Sequence, residues 1–411
     1  MKILLIHGPN LNKLGFRDPH FYGAQTLAQI TKSLTTKVKK RGHSLESFQS
    51  NHEGELIDFL QKEAQKADGI LINPGALSHS SYALKDALLD TKLPCIEVHL
   101  SKLFEREDYR RKSVTAEVCA LMIYGKGVKG YREALDLLLD LIEKKRVILQ
   151  NQVIGNPLDH SLSPELHGLI YNEIGLAAVM KKRVVPPDEL KKIISDFREN
   201  KGALMAVTLP HKESVMEYLD EIDPLAKKIG SVNTVLNKNG RLVGSNTDIV
   251  GIKAALEGVK IKNKKILILG AGGASKALCY FLKSKGADVL VYNRTHQKAL
   301  DFAKKYKVKA VSLADLNPQD IDVIVNATPL GMHPFIHECP LSADFLLPKH
   351  TVFDLIYNPE KTLLLHQAES IGAKTRSGLL MFVAQGVAQV EKLSGRKIPK
   401  LSYEKYLRTY L

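Results

Sequence analysis

Tyr22 and Arg17 are the first residues of this sequence whose types and spacing suit acid–base chemistry. They lie five residues apart in a loop bounded by Gly15 and Gly23. Tyrosine is a weak base at its ordinary pKa of about 10, and a nearby guanidinium favours the phenolate. We therefore predict a mobile loop that delivers a base, with a plain surface loop as the alternative.

A second candidate pair lies in the stretch "EVHLS". Glu97 and His99 are two residues apart on a predicted strand, so both side chains point to the same face. A carboxylate beside a histidine fixes the tautomer of the ring and favours its protonated form. The pair suits a general acid, and a satisfied structural pair is the alternative.

Further polar side chains lie near the ends of the predicted strands, and Asn10 follows the first of them. Five suit a clamp for a polyhydroxylated carboxylate, namely Asn73, His79, Arg106, Arg110 and Arg111. The three arginines, which lie within six residues in "EREDYRR", also fit a solvated helix face.

The stretch "GAGGAS" at residues 270–275 follows a predicted strand and opens a predicted helix. Backbone N–H groups in such a turn face a pyrophosphate at the helix N-terminus. Ser275 stands at the third glycine position of the motif. The next strand ends in Asn293-Arg294-Thr295, with Lys298 nearby, where an NAD enzyme carries a carboxylate. A cationic site there matches a 2′-phosphate and favours NADP over NAD.

Lys212 in "VTLPHK" and Asp248 in "SNTD" are candidate proton donors for the alkoxide that hydride transfer to a ketone would leave. They serve only if the fold brings them together. Two separate surface charges are the alternative.

Two α/β series must position these residues. Residues 1–145 alternate five apolar strand segments with helical ones, which predicts a flavodoxin-like parallel sheet with helices on both faces. Ligands gather at the carboxyl ends of such strands. We predict a first domain over 1–146, a substrate-binding lobe over 147–250 plus about 379–411, and a Rossmann lobe over 251–378.

Length and composition exclude several classes of protein. The 411 residues include no apolar run of membrane-span length and no signal-peptide pattern, so we expect no membrane and a cytoplasmic location. The four cysteines form no CxxC pair, and we expect no metal. The net charge is +15, but no aromatic residues are interleaved with the lysines to form a stacking platform. We therefore favour anionic small molecules over nucleic acid as partners.

The first half contains, in this order, "GPNLNKLGFRDPHFYG", "QSNHEGELID", "INPGALSHSSYALKDA", "EVHLS" and "REDYR". Together these stretches resemble the type II 3-dehydroquinate dehydratases. The resemblance implies anti elimination of water from 3-dehydroquinate through an enolate, and trimers assembled into dodecamers. It makes Tyr22 the base, promoted by Arg17, and His99 the acid, oriented by Glu97, while Asn10 holds a water at the enolate. The implied substrate-binding residues are Asn73, His79, Asp86, Leu100, Ser101 and Arg110.

The second half contains, in this order, "VIGNPLDHSLSPELH", "VTLPHKE", "GSVNTV", "GSNTDIVG", "GAGGASKA", "NRT", "NATPLGM", "FDLIYNP" and "SGLLMFVAQ". These stretches closely resemble shikimate dehydrogenase. The resemblance implies NADPH-dependent reduction of 3-dehydroshikimate to shikimate, with Lys212 and Asp248 as the catalytic pair. The implied substrate-binding residues are Ser161, Ser163, Thr208, Asn233, Tyr357 and Gln385. The implied cofactor-binding residues are Gly270, Ala271, Gly272, Gly273, Ala274, Asn293, Arg294, Thr295, Lys298, Thr328, Met332, Leu355 and Gly378.

The sequence departs from these patterns at a few positions. Lys102 replaces the usual Asn after "EVHLS", Ala206 replaces an Asn before "VT", and Ser245 and Leu380 replace residues of two second-half motifs. We still predict a bifunctional enzyme in which the first half makes the substrate of the second. The alternatives are a second half that prefers quinate or NAD, and a half that is a non-catalytic regulator.

Overall fold

The computed structural model describes residues 1–200, 202–399 and 403–411. The chain forms two compact units, Met1–Leu149 with Tyr171–Val179, and Gln150–Ile170 with Met180–Leu411. The predicted domain boundaries stay predictions, and residues 400–402 of the segment 379–411 lie outside the described residues.

The first unit is built on five parallel strands. They are β1 (Lys2–His7), β2 (Ser44–Gln49), β3 (Gly69–Asn73), β4 (Cys95–His99) and β5 (Leu121–Tyr124), in the sheet order β2-β1-β3-β4-β5. The helices are α1 (Pro19–Tyr22), α2 (Leu27–Lys40), α3 (Glu53–Glu63), α4 (Tyr82–Asp90) and α5 (Gly127–Ile142). The predicted flavodoxin-like α/β class is confirmed.

Strand β1 shows why the sheet is covered on both faces. Ile3 and Leu5 pack into the core formed with α2 and α5, whereas Leu4 and Ile6 pack into the core formed with α3 and α4. A strand buried on both faces is apolar at successive positions rather than alternating ones. The loops after the strands are therefore the places where polar side chains collect.

The next elements form a mixed six-stranded sheet, which we call the first lobe. Its strands are β6 (Leu149–Gly155), β7 (Ala178–Val184), β8 (Leu204–Val207), β9 (Glu221–Ile222), β10 (Thr234–Lys238) and β11 (Arg241–Ser245), in the order β7-β6-β8-β10-β11-β9. Its helices are α6 (Ser163–Ile174), α7 (Leu190–Glu199) and α8 (Pro224–Ile229).

The remaining strands form a parallel six-stranded sheet, which we call the second lobe. They are β12 (Lys265–Leu269), β13 (Asp288–Tyr292), β14 (Lys309–Ala310), β15 (Val323–Asn326), β16 (Thr351–Asp354) and β17 (Lys374–Arg376), in the order β14-β13-β12-β15-β16-β17. The helices are α9 (Asp248–Ala255), α10 (Gly273–Ser284), α11 (His296–Tyr306), α12 (Leu363–Ser370), α13 (Leu379–Ser394) and α14 (Tyr403–Leu407).

Helix α13 ties the two lobes of the second unit together. A Cβ atom added at Gly251 in α9 would meet the carbonyl oxygen of Met381 at 2.4 Å, so the two helices pack backbone against backbone. Gln389 donates hydrogen bonds of 3.1 Å to the Asn233 carbonyl and to Thr234 Oγ1 in the first lobe. Among the described residues, no helix has both the length and the apolar character needed to cross a membrane.

Candidate active sites

The loop after β1 brings two guanidinium groups to one phenol oxygen. Asp18 caps α1 by accepting a hydrogen bond from the His20 N–H, and Tyr22 ends that helix. Arg17 Nη2 donates to Tyr22 Oη at 2.7 Å, and Arg106 Nη1 donates to the same oxygen at 3.3 Å. Charged donors of this kind stabilise negative charge on the oxygen that accepts them.

Arg106 is held in its charged form by that contact. Burial alone would lower the pKa of Arg106. The hydrogen bond and the charge interaction with Tyr22 raise it, and the net pKa of Arg106 lies above its ordinary value. The arrangement therefore has a second permanent cation beside the predicted base.

At the end of β4 a fully buried carboxylate orients a histidine. His99 Nε2 lies 2.6 Å from Glu97 Oε1, and the carboxylate of Glu97 is 0% exposed. Ser113 Oγ donates to Oε1 at 2.6 Å and Thr115 Oγ1 donates to Oε2 at 2.6 Å. These hydroxyls fix the carboxylate, which leaves the other ring nitrogen of His99 for a ligand.

Asn73 ends β3, and its side chain makes hydrogen bonds with the backbone of the next loop and with helix α5. Its Oδ1 accepts from the Gly75 N–H at 3.1 Å, and its Nδ2 donates to Tyr131 Oη at 2.9 Å. Burial raises the pKa of Tyr131, so that hydroxyl stays neutral. His7, which pairs with Asn73 across the sheet, is also wholly buried, and burial lowers its pKa to about 3.

His79 and Arg110 are held by the loop that follows β4. His79 Nδ1 lies 2.8 Å from the Lys112 carbonyl, and burial lowers the pKa of His79. Arg110 Nε donates to Glu107 Oε2 at 3.0 Å.

The remaining predicted residues of the first unit differ in exposure. Asn10 is exposed, with a left-handed φ of 65°, and its N–H donates to Asn51 Oδ1 at 2.9 Å. Leu100 is buried and Ser101 is half-buried directly after β4. Asp86 lies on α4 and is exposed.

The second unit contains a cavity of about 440 Å³ between its two lobes. Predicted residues from both lobes line it, namely Ser161, Ser163, Thr208, Lys212, Asn233, Asp248, Gly272, Gly273, Ala274, Thr328, Met332, Leu355, Tyr357, Gly378 and Gln385. The lining also includes His160, Ala206 and Phe382. Ala206, which replaces an asparagine of the shikimate dehydrogenase pattern, therefore faces the same cavity.

Lys212 and Asp248 form an ion pair in this cavity. Lys212 Nζ lies 2.6 Å from Asp248 Oδ2, although 36 residues separate them in the sequence. Asp248 Oδ1 accepts from Asn233 Nδ2 at 2.9 Å. The Asp248 side chain is 4% exposed and that of Lys212 is 13% exposed, so the pair is shielded from water yet reaches the cavity.

Hydroxyl groups cluster in another part of the cavity lining. Ser161 Oγ and Ser163 Oγ lie 3.2 Å apart, and the Leu162 N–H donates to Tyr357 Oη at 3.3 Å. The Tyr357 ring stacks on Phe382 with centroids 4.0 Å apart, and burial raises the pKa of Tyr357 to about 12. These neutral donors suit an anionic ligand group.

The glycine turn meets the geometric demands of a phosphate site. Gly270 has a φ of 104° and lies close to the Ala327 carbonyl, while the space beside Gly272 is open. A Cβ atom added at Gly273 would lie 3.0 Å from Cβ of Lys212, so the turn and the lysine are immediate neighbours. Ser275 is fully buried in the first turn of α10.

The end of β13 presents the predicted cationic group to solvent. Asn293 Nδ2 donates to the Thr295 carbonyl at 3.0 Å, which orders the turn before α11. Arg294, Thr295 and Lys298 are exposed there. No carboxylate stands in the stretch 293–295 to repel a 2′-phosphate.

Comparisons with known proteins match both parts of the chain. Residues 1–139 match the family model "Dehydroquinase class II". Residues 153–235 match "Shikimate dehydrogenase substrate binding domain", and residues 253–340 match "Shikimate / quinate 5-dehydrogenase". The chain is 40% identical over 265 residues to "Shikimate dehydrogenase (NADP(+))" of Bacillus cereus, covering 62% of this chain and 95% of that protein.

The chain belongs to the shikimate dehydrogenase family.

Two further similarities extend this assignment. The chain is 38% identical over 296 residues to the "Bifunctional 3-dehydroquinate dehydratase/shikimate dehydrogenase, chloroplastic" of Arabidopsis thaliana, covering 66% of this chain and 49% of that one. The chain thus spans about half the length of that relative. A solved shikimate 5-dehydrogenase of Thermus thermophilus, in complex with NADP(H) and shikimate, has a TM-score of 0.58 at 33% identity. The match covers 64% of this chain and 98% of the Thermus chain.

The predicted fusion of a class II dehydroquinase with a shikimate dehydrogenase is confirmed. Roles of individual site residues stay predictions. Sequence reasoning missed Ser113 and Thr115 as partners of Glu97, because hydroxyl residues in a loop give no periodic signal. It also did not predict which of Arg106, Arg110 and Arg111 contacts Tyr22. Only the fold shows that Arg106 does so.

Proposed function

We propose that this member of the shikimate dehydrogenase family is a bifunctional enzyme. Its first unit dehydrates 3-dehydroquinate to 3-dehydroshikimate, and its second unit reduces 3-dehydroshikimate to shikimate with NADPH. The observation that carries the proposal is the buried Lys212–Asp248 pair beside a glycine turn, in a chain whose first residues match the class II dehydroquinases.

In the dehydration, Tyr22 acts as the base. The Tyr22 phenolate removes a proton next to the substrate carbonyl and leaves an enolate, while Arg17 and Arg106 stabilise the phenolate beforehand. His99 then protonates the departing hydroxyl, which leaves as water. Glu97 supports the positive charge of the ring from the buried side.

Binding of 3-dehydroquinate falls to the polar residues around that centre. Asn10 holds a water at the enolate oxygen, and the other substrate-binding residues are those named from the sequence. Helix α4, which carries Asp86, also exposes Tyr82 and Leu89. These exposed apolar side chains support a homo-oligomer, a trimer or dodecamer, formed through the dehydratase unit.

In the reduction, Lys212 donates a proton to the oxygen of the ketone as it becomes an alkoxide. Asp248 keeps the ammonium group in place and supports its charge, and Asn233 fixes Asp248. Ser161, Ser163 and Tyr357 hold the substrate carboxylate. Thr208 and Gln385 contact its hydroxyl groups.

The residues around the glycine turn fit NADPH. The open space beside Gly272 at the start of α10 would take the pyrophosphate, and Arg294 with Lys298 would hold the 2′-phosphate. NADPH bound there supplies a hydride to the ketone. We place this chemistry in the cytoplasm, with small carboxylates as the partners of the chain.

A coupled assay tests the proposal. Purified chain is given 3-dehydroquinate and NADPH, and both NADPH loss and shikimate formation are followed. We expect equal amounts of NADPH consumed and shikimate formed. Formation of 3-dehydroshikimate without NADPH loss would refute the reductase role. No reaction of 3-dehydroquinate, in a preparation that still reduces added 3-dehydroshikimate, would refute the dehydratase role.

The alternative of quinate or NAD specificity is tested by the same preparation. The family model that matches residues 253–340 names both shikimate and quinate, which keeps this alternative open. We expect faster turnover with NADPH than with NADH because Arg294 is exposed at the end of β13. Faster oxidation of quinate than of shikimate, or a preference for NADH, would favour the alternative.

A further inference from the structure

A buried carboxylate lies behind the wall of the reductase cavity. Asp354 ends β16 and pairs in register with Asn326, which ends β15. Both residues are 0% exposed. Burying a carboxylate is costly unless several donors satisfy it, so its contacts show what it holds in place.

Asp354 accepts hydrogen bonds from three neighbours. Asn326 Nδ2 lies 3.1 Å from each carboxylate oxygen, Thr362 Oγ1 lies 2.8 Å from Oδ2, and the Ile356 N–H lies 3.0 Å from Oδ1. Burial raises the pKa of Asp354 to about 6, while these hydrogen bonds oppose the rise. These neighbours are all donors, which is the set an ionised carboxylate requires.

The donors lead directly to two segments that line the cavity. On one side, Asn326 Oδ1 accepts from the N–H of Thr328 at 3.0 Å and from its hydroxyl at 2.7 Å, and Asn326 Nδ2 donates to the Leu330 carbonyl. Ala327, Thr328 and Pro329 line the cavity. Asp354 thus fixes the loop after β15 through one intermediate side chain.

On the other side, the bond to the Ile356 N–H fixes the segment after β16. Leu355, Ile356 and Tyr357 line the cavity, and the Ile356 carbonyl accepts from the Gly378 N–H at 3.0 Å, just before α13. One carboxylate therefore sets the spacing between the loop that carries Thr328, a predicted cofactor-binding residue, and the segment that carries Tyr357.

We propose that Asp354 is a positioning residue for the reduction, holding the loop 327–330 and the segment 355–357 at the separation that NADPH and the substrate need. It acts through Asn326 and the backbone of Ile356 rather than on the reactants. The proposal rests on the reductase function proposed above. A misplacement of about 1 Å in a catalytic site can cost on the order of 100-fold in rate.

The first variant is Asp354→Asn, which keeps the shape and points an amide donor at groups that are themselves donors. We expect kcat/KM for 3-dehydroshikimate to fall about 10- to 100-fold, with KM for NADPH also raised. Binding of NADPH, followed by its fluorescence, should weaken in parallel. Dehydration of 3-dehydroquinate by the same chain should be unchanged and reports the amount of intact protein.

The matched control is Asp322→Asn, at the opposite end of β15. Asp322 accepts from Lys264 Nζ at 2.8 Å and from the Lys265 N–H at 3.0 Å, away from the cavity lining. We expect this variant to lose thermal stability without a change in the kinetic constants of reduction. An equal kinetic loss in both variants would overturn the proposal, because a general loosening of the sheet would then explain it.

Two more variants keep the proposal falsifiable if Asp354→Asn does not fold. Thr362→Val removes one donor to Asp354, while Thr362→Ser keeps the hydroxyl, and Thr362 does not line the cavity. We expect reduced kcat/KM and weaker NADPH binding in Thr362→Val, with near-normal values in Thr362→Ser. Both variants within twofold of the unaltered chain would overturn the proposal.

An unaltered chain that fails to reduce 3-dehydroshikimate would refute the reductase function instead. The NADPH titrations would still decide whether Asp354 organises the cavity.

Discussion

Tyr22 and Lys212 are prepared by different neighbours. The oxygen of Tyr22 receives hydrogen bonds from two permanent cations, Arg17 and Arg106, whereas the ammonium of Lys212 is paired with the buried carboxylate of Asp248. The first arrangement suits an anion that accepts a proton, and the second suits a cation that donates one, as the proposed function requires of these two residues. Each residue is therefore prepared for the opposite half of acid–base chemistry.

Replacing Tyr22 by phenylalanine removes the hydroxyl of the proposed base and keeps the ring. We expect dehydration of 3-dehydroquinate to be abolished, while reduction of added 3-dehydroshikimate stays at its normal rate. The two reactions are measured separately on the same preparation. Tyr82→Phe, on the exposed face of α4, keeps the apolar ring of the proposed oligomer contact and is the control that should retain both activities. Near-normal dehydration by Tyr22→Phe would remove this residue from its role.

Replacing Lys212 by alanine removes the proposed proton donor of the reduction. We expect kcat to fall by about 10²- to 10⁴-fold, the usual effect of losing a general acid or base. Lys361→Ala, which breaks an exposed pair with Glu369, serves as the control. A change confined to KM for NADPH would show that Lys212 binds the cofactor rather than donating a proton.

At the scale of elements, Glu143 joins two helices of the first unit. It caps the end of α5, and its carboxylate accepts from Arg41 Nη2 at 2.8 Å and contacts His43 Nε2 at 2.9 Å, just after α2. Contacts with Lys145, His43 and Arg41 lower the pKa of Glu143 to about 2. A depressed carboxyl pKa stabilises the fold above the unfolded-state value, and that stability is lost as the pH falls toward 2.

Glu143→Gln should therefore destabilise the first unit in a pH-dependent way. At pH 7 we expect the temperature of half-inactivation of the dehydratase to drop by a few degrees. The difference should shrink as the pH falls below about 4, where the unfolded chain binds the proton. Glu221→Gln, which breaks an exposed pair with Arg241 in the second unit, is the control. A deficit that is constant from pH 7 to pH 3 would contradict the assignment.

The elements also show which parts of the sites the sequence could predict. Glu97 and His99 were predictable because a strand repeats every two residues, and their pairing needs nothing else. Ser113 and Thr115 contact Glu97 from a loop that lies 16 and 18 residues further along the chain. No local sequence pattern predicts that this loop folds back onto β4. The Lys212–Asp248 pair was predictable by residue type, but its 2.6 Å contact depends on how β8, β10 and β11 are ordered in the sheet.

At the scale of the whole molecule, the residues proposed for each reaction come from one compact unit. The dehydration residues lie within Met1–Leu149, and the reduction residues lie within Gln150–Ile170 and Met180–Leu411. The α/β class of the first unit was predictable from its apolar segments, because parallel sheets with helical crossovers allow few arrangements. The network around Asp354 was not predictable from the sequence. Its residues lie at the ends of strands, and which strand ends are neighbours depends on the strand order of the complete sheet.

This separation predicts complementation between damaged chains. Tyr22→Phe and Lys212→Ala should each fail to convert 3-dehydroquinate to shikimate alone, and an equal mixture should restore the conversion after a lag. The lag reflects the build-up of 3-dehydroshikimate in solution, and shikimate formation is the measured quantity. A mixture that stays inactive, although each chain performs its own half-reaction, would show that the two units depend on each other.

The contact between Gly273 and Lys212 has a consequence for how such a protein can evolve. Cβ atoms at the two positions would be 3.0 Å apart, so a larger residue in the turn would push against the lysine. Sequence change in the glycine turn is therefore limited by the position of Lys212, the proposed proton donor, as well as by the proposed cofactor. We expect a lineage that changes its nucleotide preference to do so at the exposed end of β13, where Arg294 lies outside the contacts of Lys212 and Asp248.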